Sequence, residues 1–182
     1  DDLNEIPLLD YPNRVDAAVF AICLKGHIRF SINLKEYFIS SSSMVVLLPD
    51  QIVQQHERSD DFEAIFLGVS KQFIDDTIPG VQNLLSAFFY VKEHPCTTIT
   101  DEELDSLKEY HSFLWKKVKM KEHVYRKEVM QSLLLALFYD ICNIFRRHQP
   151  IDGGKRSRKE ELFGLFMRVV LENYKQGRSV GF

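Results

Sequence analysis

The chain has 182 residues, 45% of them hydrophobic, enough for one domain with a real core and an appended helical part but a tight fit for two independent domains. Its formal net charge of -3 excludes the broad positive field that a free-standing nucleic-acid binder uses to attract phosphate. Three widely spaced cysteines, Cys23, Cys96 and Cys142, fit neither a disulfide framework nor a C-x-x-C metal or redox site, which points to a reducing cytoplasm.

The N-terminus opens on Asp1 and Asp2 rather than on a basic segment followed by an apolar one, so no secretory signal is expected. From Ala17 to Val69 the pattern is that of strands: short runs rich in Val, Ile and Phe, separated by turn residues. Val19, Phe20 and Ile22 lie in the first run, which Gly26 ends. Ile28, Phe30, Ile32 and Leu34 then alternate with His27, Arg29, Ser31 and Asn33, the period of a strand with one buried face. Lys35 and Glu36 are expected to form a hairpin turn before Tyr37 to Ile39. The serines Ser40 to Ser43 suit a turn between strands. Met44 to Leu48 is a continuous apolar stretch closed by Pro49 and Asp50. Phe62 to Val69, apolar on both faces, predicts a central or inward-rolled strand. So many short strands in so little chain favour a rolled sheet or barrel.

After Ser70 the period becomes helical. Ser70 suits the N-cap of a short helix through Phe73 and Ile74, ended by Pro79 and Gly80, and a second short helix is expected over Asn83 to Tyr90. Thr100 and Glu103 form a capping-box signature. Behind them Leu104, Leu107, His111, Leu114, Trp115 and Val118 recur at helical spacing.

A second long helix is predicted from about Glu122 to Arg147. Its run Leu133 to Phe138 wraps past a single stripe, so it has two apolar faces to cover. Either one packs on the barrel and the other on the preceding helix, or the second meets a partner subunit. The residues nominated for that contact are Met130, Leu133, Leu134, Leu137 and Ile141. The apolar run Leu133 to Tyr139 is far shorter than the ~20 residues of a membrane span, and no membrane partner is expected.

Residues 149–156, with Pro150, Gly153 and Gly154, read as a flexible linker. Ser157 and Glu160 then give a second capping box, for a helix carrying Leu162, Phe163, Phe166, Val169, Val170 and Tyr174. The stretch Ser157-Arg158-Lys159-Glu160-Glu161-Leu162-Phe163, followed by Asn173-Tyr174 and Arg178-Ser179-Val180-Gly181-Phe182, resembles the start of the DNA-binding domain of AraC-type transcriptional regulators. There an opening helix ends in a His-Tyr or similar pair and passes an Arg-Ser-Val turn into the first helix-turn-helix. The preceding strands and two long helices agree in order with that family's cupin-like sensor domain.

The resemblance implies an α+β fold, a cupin-like β-barrel of jelly-roll type followed by two long helices and a linker helix. It divides the chain into a ligand-sensing and dimerisation domain at 1–148, a linker at 149–156, and the first helix of a truncated helix-turn-helix domain at 157–182. It also implies a small-molecule effector in the barrel, a homodimer, and DNA contact only through recognition helices beyond Phe182. Phe20, Phe30, Ile32 and His56 are the nominated effector-binding residues, and no catalytic residue or cofactor is expected.

Two other functions fit the same outline. A cupin metalloenzyme would need two closely spaced histidines, a glutamate and a later histidine. The strand region offers only His27 and His56, with Glu57 leaving the strand on the face opposite His56. A cyclic-nucleotide sensor would need a Gly-Glu and Arg-Ala phosphate cassette, which is missing between Ala17 and Val69. No glycine-flanked serine elbow, Walker or Gly-x-Gly-x-x-Gly sequence is present either.

Overall fold

Residues 11–77, 90–147 and 162 are described by a computed structural model. The expected short helix at 83–90 (apart from Tyr90), its neighbours Pro79 and Gly80, the linker at 149–156 and the helix opened by Ser157 (apart from Leu162) lie outside the described residues.

Eight strands form two antiparallel sheets. They are β1 (Asn13–Arg14), β2 (Ala17–Lys25), β3 (His27–Ile32), β4 (Lys35–Ser40), β5 (Ser43–Leu47), β6 (Ile52–Arg58), β7 (Glu63–Ser70) and β8 (Cys96–Thr98). The first sheet runs β1-β6-β3-β4 and the second β7-β2-β5-β8. The helices are α1 (Lys71–Thr77), α2 (Asp101–Lys119) and α3 (Arg126–Arg147). The fold is thus the expected α+β, cupin-like one. Among the described residues the sheets face each other without closing into a hydrogen-bonded ring.

The molecule has three layers, and strand parity makes them. In β2, Val19, Ala21 and Cys23 point towards the first sheet, while Phe20, Ile22 and Leu24 point towards the helices. Cys23, Val45 and Leu47 meet Phe30, Ile32, Ile39 and Val53 in the core between the sheets. Met44, Val46 and Val69 instead meet Leu107 and Leu114 of α2 and Leu134, Leu137 and Ile141 of α3. The strand β5, inside the second sheet, is buried on both faces, which is why Met44 to Leu47 shows no polar alternation.

Several local expectations need correction. The β3–β4 turn is Asn33-Leu34, not Lys35-Glu36. Ile32 pairs with Lys35 and Ser31 with Glu36, and both turn residues have positive φ, 48° and 69°. That is the twist a two-residue hairpin loop demands. Asn33 adds a side-chain anchor, its Oδ1 accepting from the Ile52 N–H at 2.9 Å. Leu34 therefore leaves the buried face and is 89% exposed. The strand β7 is an edge strand and not a central one; its apolar outer side is covered in part by helices instead of by another strand. The short strands β1 and β8 carry too few residues to show a period. The second long helix begins at Arg126, since residues 120–125 form the turn that reverses the chain.

Other signals hold. Ser70 Oγ accepts from the Phe73 N–H at 3.3 Å, capping α1. The capping box of α2 is complete: Thr100 Oγ1 accepts from the Glu103 N–H at 3.3 Å, and Glu103 Oε2 accepts from the Thr100 N–H at 2.8 Å. The serines at 40–43 form the β4–β5 turn, with Ser42 at φ 59°. The helix α3 is long and apolar enough to cross a membrane by length and composition alone, yet Leu134, Leu137, Ile141, Ile144 and Phe145 are buried in the core.

Candidate ligand-binding groove

A hollow lies outside the space between the two sheets, between the edge strand β7 and the helices. It holds about 600 Å³. The strand supplies Phe66, Leu67 and the unobstructed backbone at Gly68, and α1 supplies Phe73. Four residues of α2 and two of α3 close the other side.

The sequence builds this wall by helical spacing. His111, Leu114, Trp115 and Val118 recur at three and four residues and so share one face of α2. Leu114 seals the floor at 4% exposure. Trp115 and Val118 stay about half exposed and form the rim. On α3, Leu134 is buried beneath the groove while Met130 is half-buried at its side. On β7, Leu67 pairs with Phe20 and so faces the helices across the groove.

The electrostatics are sparse. Of the fourteen lining residues His111 is the only ionisable one. His111 also borders a narrow crevice of about 30 Å³ that runs inward past Phe20, Leu107, Leu137 and Ile141. It thus stands where the open groove meets the core. At the rim, Lys119 Nζ lies 4.6 Å from the centroid of the Trp115 ring. Ser70 lines the groove but its Oγ already accepts from Phe73.

The four nominated effector residues do not meet in one cavity. Phe20 reaches only the narrow crevice. Phe30 and Ile32 are 5% and 4% exposed in the packed core between the sheets, and Phe30 stacks on Tyr37 at 6.0 Å. His56 is exposed on β6, where the register passes from Phe30↔Gln55 to Arg29↔Glu57 and leaves His56 as the extra residue of a bulge. His56 stands three residues after the buried Val53, so strand alternation already turns it to the outer face.

The five nominated interface residues divide as well. Leu134, Leu137 and Ile141 are buried in the subunit's own core, Leu133 packs against it, and Met130 lines the groove. The two-faced reading of α3 survives, but these five lie on the inner face. The outer one carries Leu135, Phe138 and Cys142, partly buried, and Tyr139, 49% exposed. The groove residues Phe66, Phe73, Trp115 and Val118 were missed as a site. Their apolar stripe is visible in sequence, but nothing there shows that it lacks a full cover.

Among the described residues no group of three His, Cys, Asp or Glu side chains is placed to hold a metal ion. All three cysteines are free. Burial pushes the Cys96 thiol up to about 12 and the Cys142 thiol up to about 11.

Two facing sheets backed by a helical hairpin, with an apolar groove at the seam, define an α+β domain of cupin-like type. No protein-family profile and no curated protein matches the sequence. Solved structures similar to this chain include the AraC-like transcriptional activator CuxR, at 10% identity and a TM-score of 0.48 over 90% of this chain and 53% of CuxR. Also similar are ToxT from Vibrio cholerae bound to an unsaturated fatty acid (16%, TM-score 0.43, 93% of this chain, 69% of ToxT) and ToxT bound to (E)-4-(8-methylnaphthalen-1-yl)but-3-enoic acid (13%, 0.44, 93% and 70%). The chain spans about half the length of CuxR.

Proposed function

We propose that this chain is the effector-binding and dimerising portion of an AraC-type transcriptional regulator acting in the cytoplasm. Residues 1–148 are the sensor, 149–156 the linker and 157–182 the opening helix of the DNA-binding domain. The observation that carries the reading is the groove, an apolar hollow of about 600 Å³ touching β7, α1, α2 and α3 at once, within the size range of small-molecule sites. The similarity of Ser157 to Phe163 and of Arg178 to Phe182 to the start of the family's DNA-binding domain supports the rest.

The function is binding and coupling, not catalysis. A groove with one ionisable side chain offers no acid–base pair and no activated nucleophile. An effector lying between β7 and the hairpin stabilises one placement of α3 relative to the sheet. The helix ends at Arg147, directly before the linker, so that placement is passed to the DNA-binding half. The shift is bounded by the effector's differential affinity for the two placements. Two copies pair through the outer face of α3, at Leu135, Phe138 and Tyr139, because the inner face is already covered.

The test is a thermal-shift screen of this chain against small metabolites, repeated with Val118→Trp filling the groove. A true effector raises the melting temperature, by the equivalent of about 2.7 kcal/mol at a hundredfold excess over Kd, and the filled variant loses the shift. A screen in which no compound class stabilises the protein, or stabilisation that ignores the filled groove, removes this assignment.

A further inference from the structure

We propose that the groove's ligand is an uncharged, largely apolar molecule whose one polar group meets His111. The proposal rests on reading the groove as the effector site, and adds the chemistry of what enters it. Among the described residues no lysine, arginine, aspartate or glutamate lines the hollow, and its larger side chains include Phe66, Phe73, Leu114, Trp115 and Met130. A carboxylate or phosphate carried into such surroundings loses its hydration and finds no fixed opposite charge, a cost of several kcal/mol. Sugars fit no better, because most of their hydroxyls would be left without partners.

His111 supplies the one well-placed polar contact. It has no hydrogen-bond partner among the described residues, and it borders both the groove and the inner crevice. A ligand with one hydroxyl, carbonyl or amine therefore lies with that group at His111 and its apolar body along β7. Flat rings suit the rest, since Trp115, Phe66 and Phe73 offer aromatic surface. The competing arrangement is an amphiphilic anion that keeps its head at the rim and draws on Lys119, which already stands over Trp115.

A matched pair of fluorescent probes separates the two. N-phenyl-1-naphthylamine is neutral, and 8-anilinonaphthalene-1-sulfonate is nearly the same skeleton with a sulfonate. Titrated into this chain, the neutral probe is expected to bind at least about tenfold tighter. It should lose about tenfold in both Val118→Trp and Met130→Trp, each checked for native circular dichroism, and be unchanged in Lys119→Ala. In competition, 1-naphthol should displace it about fivefold better than naphthalene, with that advantage gone in His111→Leu. Tighter binding of the sulfonate, weakened by Lys119→Ala, overturns the uncharged class while leaving the groove as the binding site. An advantage of 1-naphthol that survives in His111→Leu overturns the role of His111. Binding of both probes that ignores both filling variants overturns the groove itself.

Discussion

Arg147 Nη2, in the last turn of α3, donates to Glu103 Oε2 across 2.7 Å and ties the end of one helix to the beginning of the other. The same carboxylate closes the capping box at Thr100. A single side chain thus fixes where α2 starts and where α3 leaves the domain.

The clasp has a pH signature. Burial alone raises the Glu103 carboxyl's pKa, but the hydrogen bonds from the Thr100 N–H and from Arg147, with the arginine's charge, outweigh it and hold the group below its ordinary 4.5. A depressed folded value stabilises the protein above the unfolded value, and the contribution is lost as pH falls through the folded one. Glu103→Gln keeps a capping side chain and removes the charge. It is expected to cost about 0.5–1 kcal/mol in urea unfolding at pH 7, discounted because Arg147 is 44% exposed. As pH falls through the folded value the two proteins should converge. A cost that persists unchanged in acid assigns the effect to packing.

The two faces of α3 respond differently to charge. Leu137→Ala should destabilise by about 2–5 kcal/mol, as a buried leucine at 4% exposure leaves a cavity against the sheet. Leu137→Glu and Ile141→Glu should unfold the subunit. Leu135→Glu and Phe138→Glu, on the outer face, should leave the circular dichroism native and convert a dimer to a monomer by light scattering. An unmodified chain that is monomeric at high micromolar concentration, or outer-face variants that remain dimeric, would sink the pairing through this face.

Backbone strain gives a third prediction, with opposite signs at two positions. Leu34 holds φ 69° with its side chain in solvent, so Leu34→Gly should stabilise by about 0.5–1 kcal/mol. Gly26 holds φ +70°, and an added Cβ would lie 2.9 Å from the Phe62 Cα. Backbone cannot yield as a side chain can, so Gly26→Ala should lose more than about 2 kcal/mol. Chemical denaturation of the two variants beside the parent reads both.

The thiols should be inert while the fold is intact. Cys23 is fully buried, and burial also raises its pKa, as it does those of Cys96 and Cys142. Since the thiolate is the reactive form, Ellman's reagent at pH 8 should react only slowly with native protein and rapidly with three thiols after unfolding. Fast native labelling of Cys96 or Cys142 would contradict the burial described.

The sequence by itself determined the parts that depend on neighbours along the chain. The alternation of Ile28, Phe30 and Ile32, the capping residues Ser70, Thr100 and Glu103, and the helical stripe from Leu104 to Val118 act within a few residues, so their pattern is visible in one dimension. The class of fold followed from their order. Tertiary structure decided the rest. Whether Leu137 meets the sheet or a partner depends on which of two apolar faces the sheet takes. Whether Phe30 lines a cavity depends on how closely the second sheet approaches. Whether His56 could reach a ligand depends on which face of β6 meets the opposite sheet, and that face is taken by Val53; the groove exists because Trp115 and Val118 extend beyond the surface that β7 can cover. Local pattern says which side chains avoid water, and only the packed layers say what, if anything, has been left to cover them.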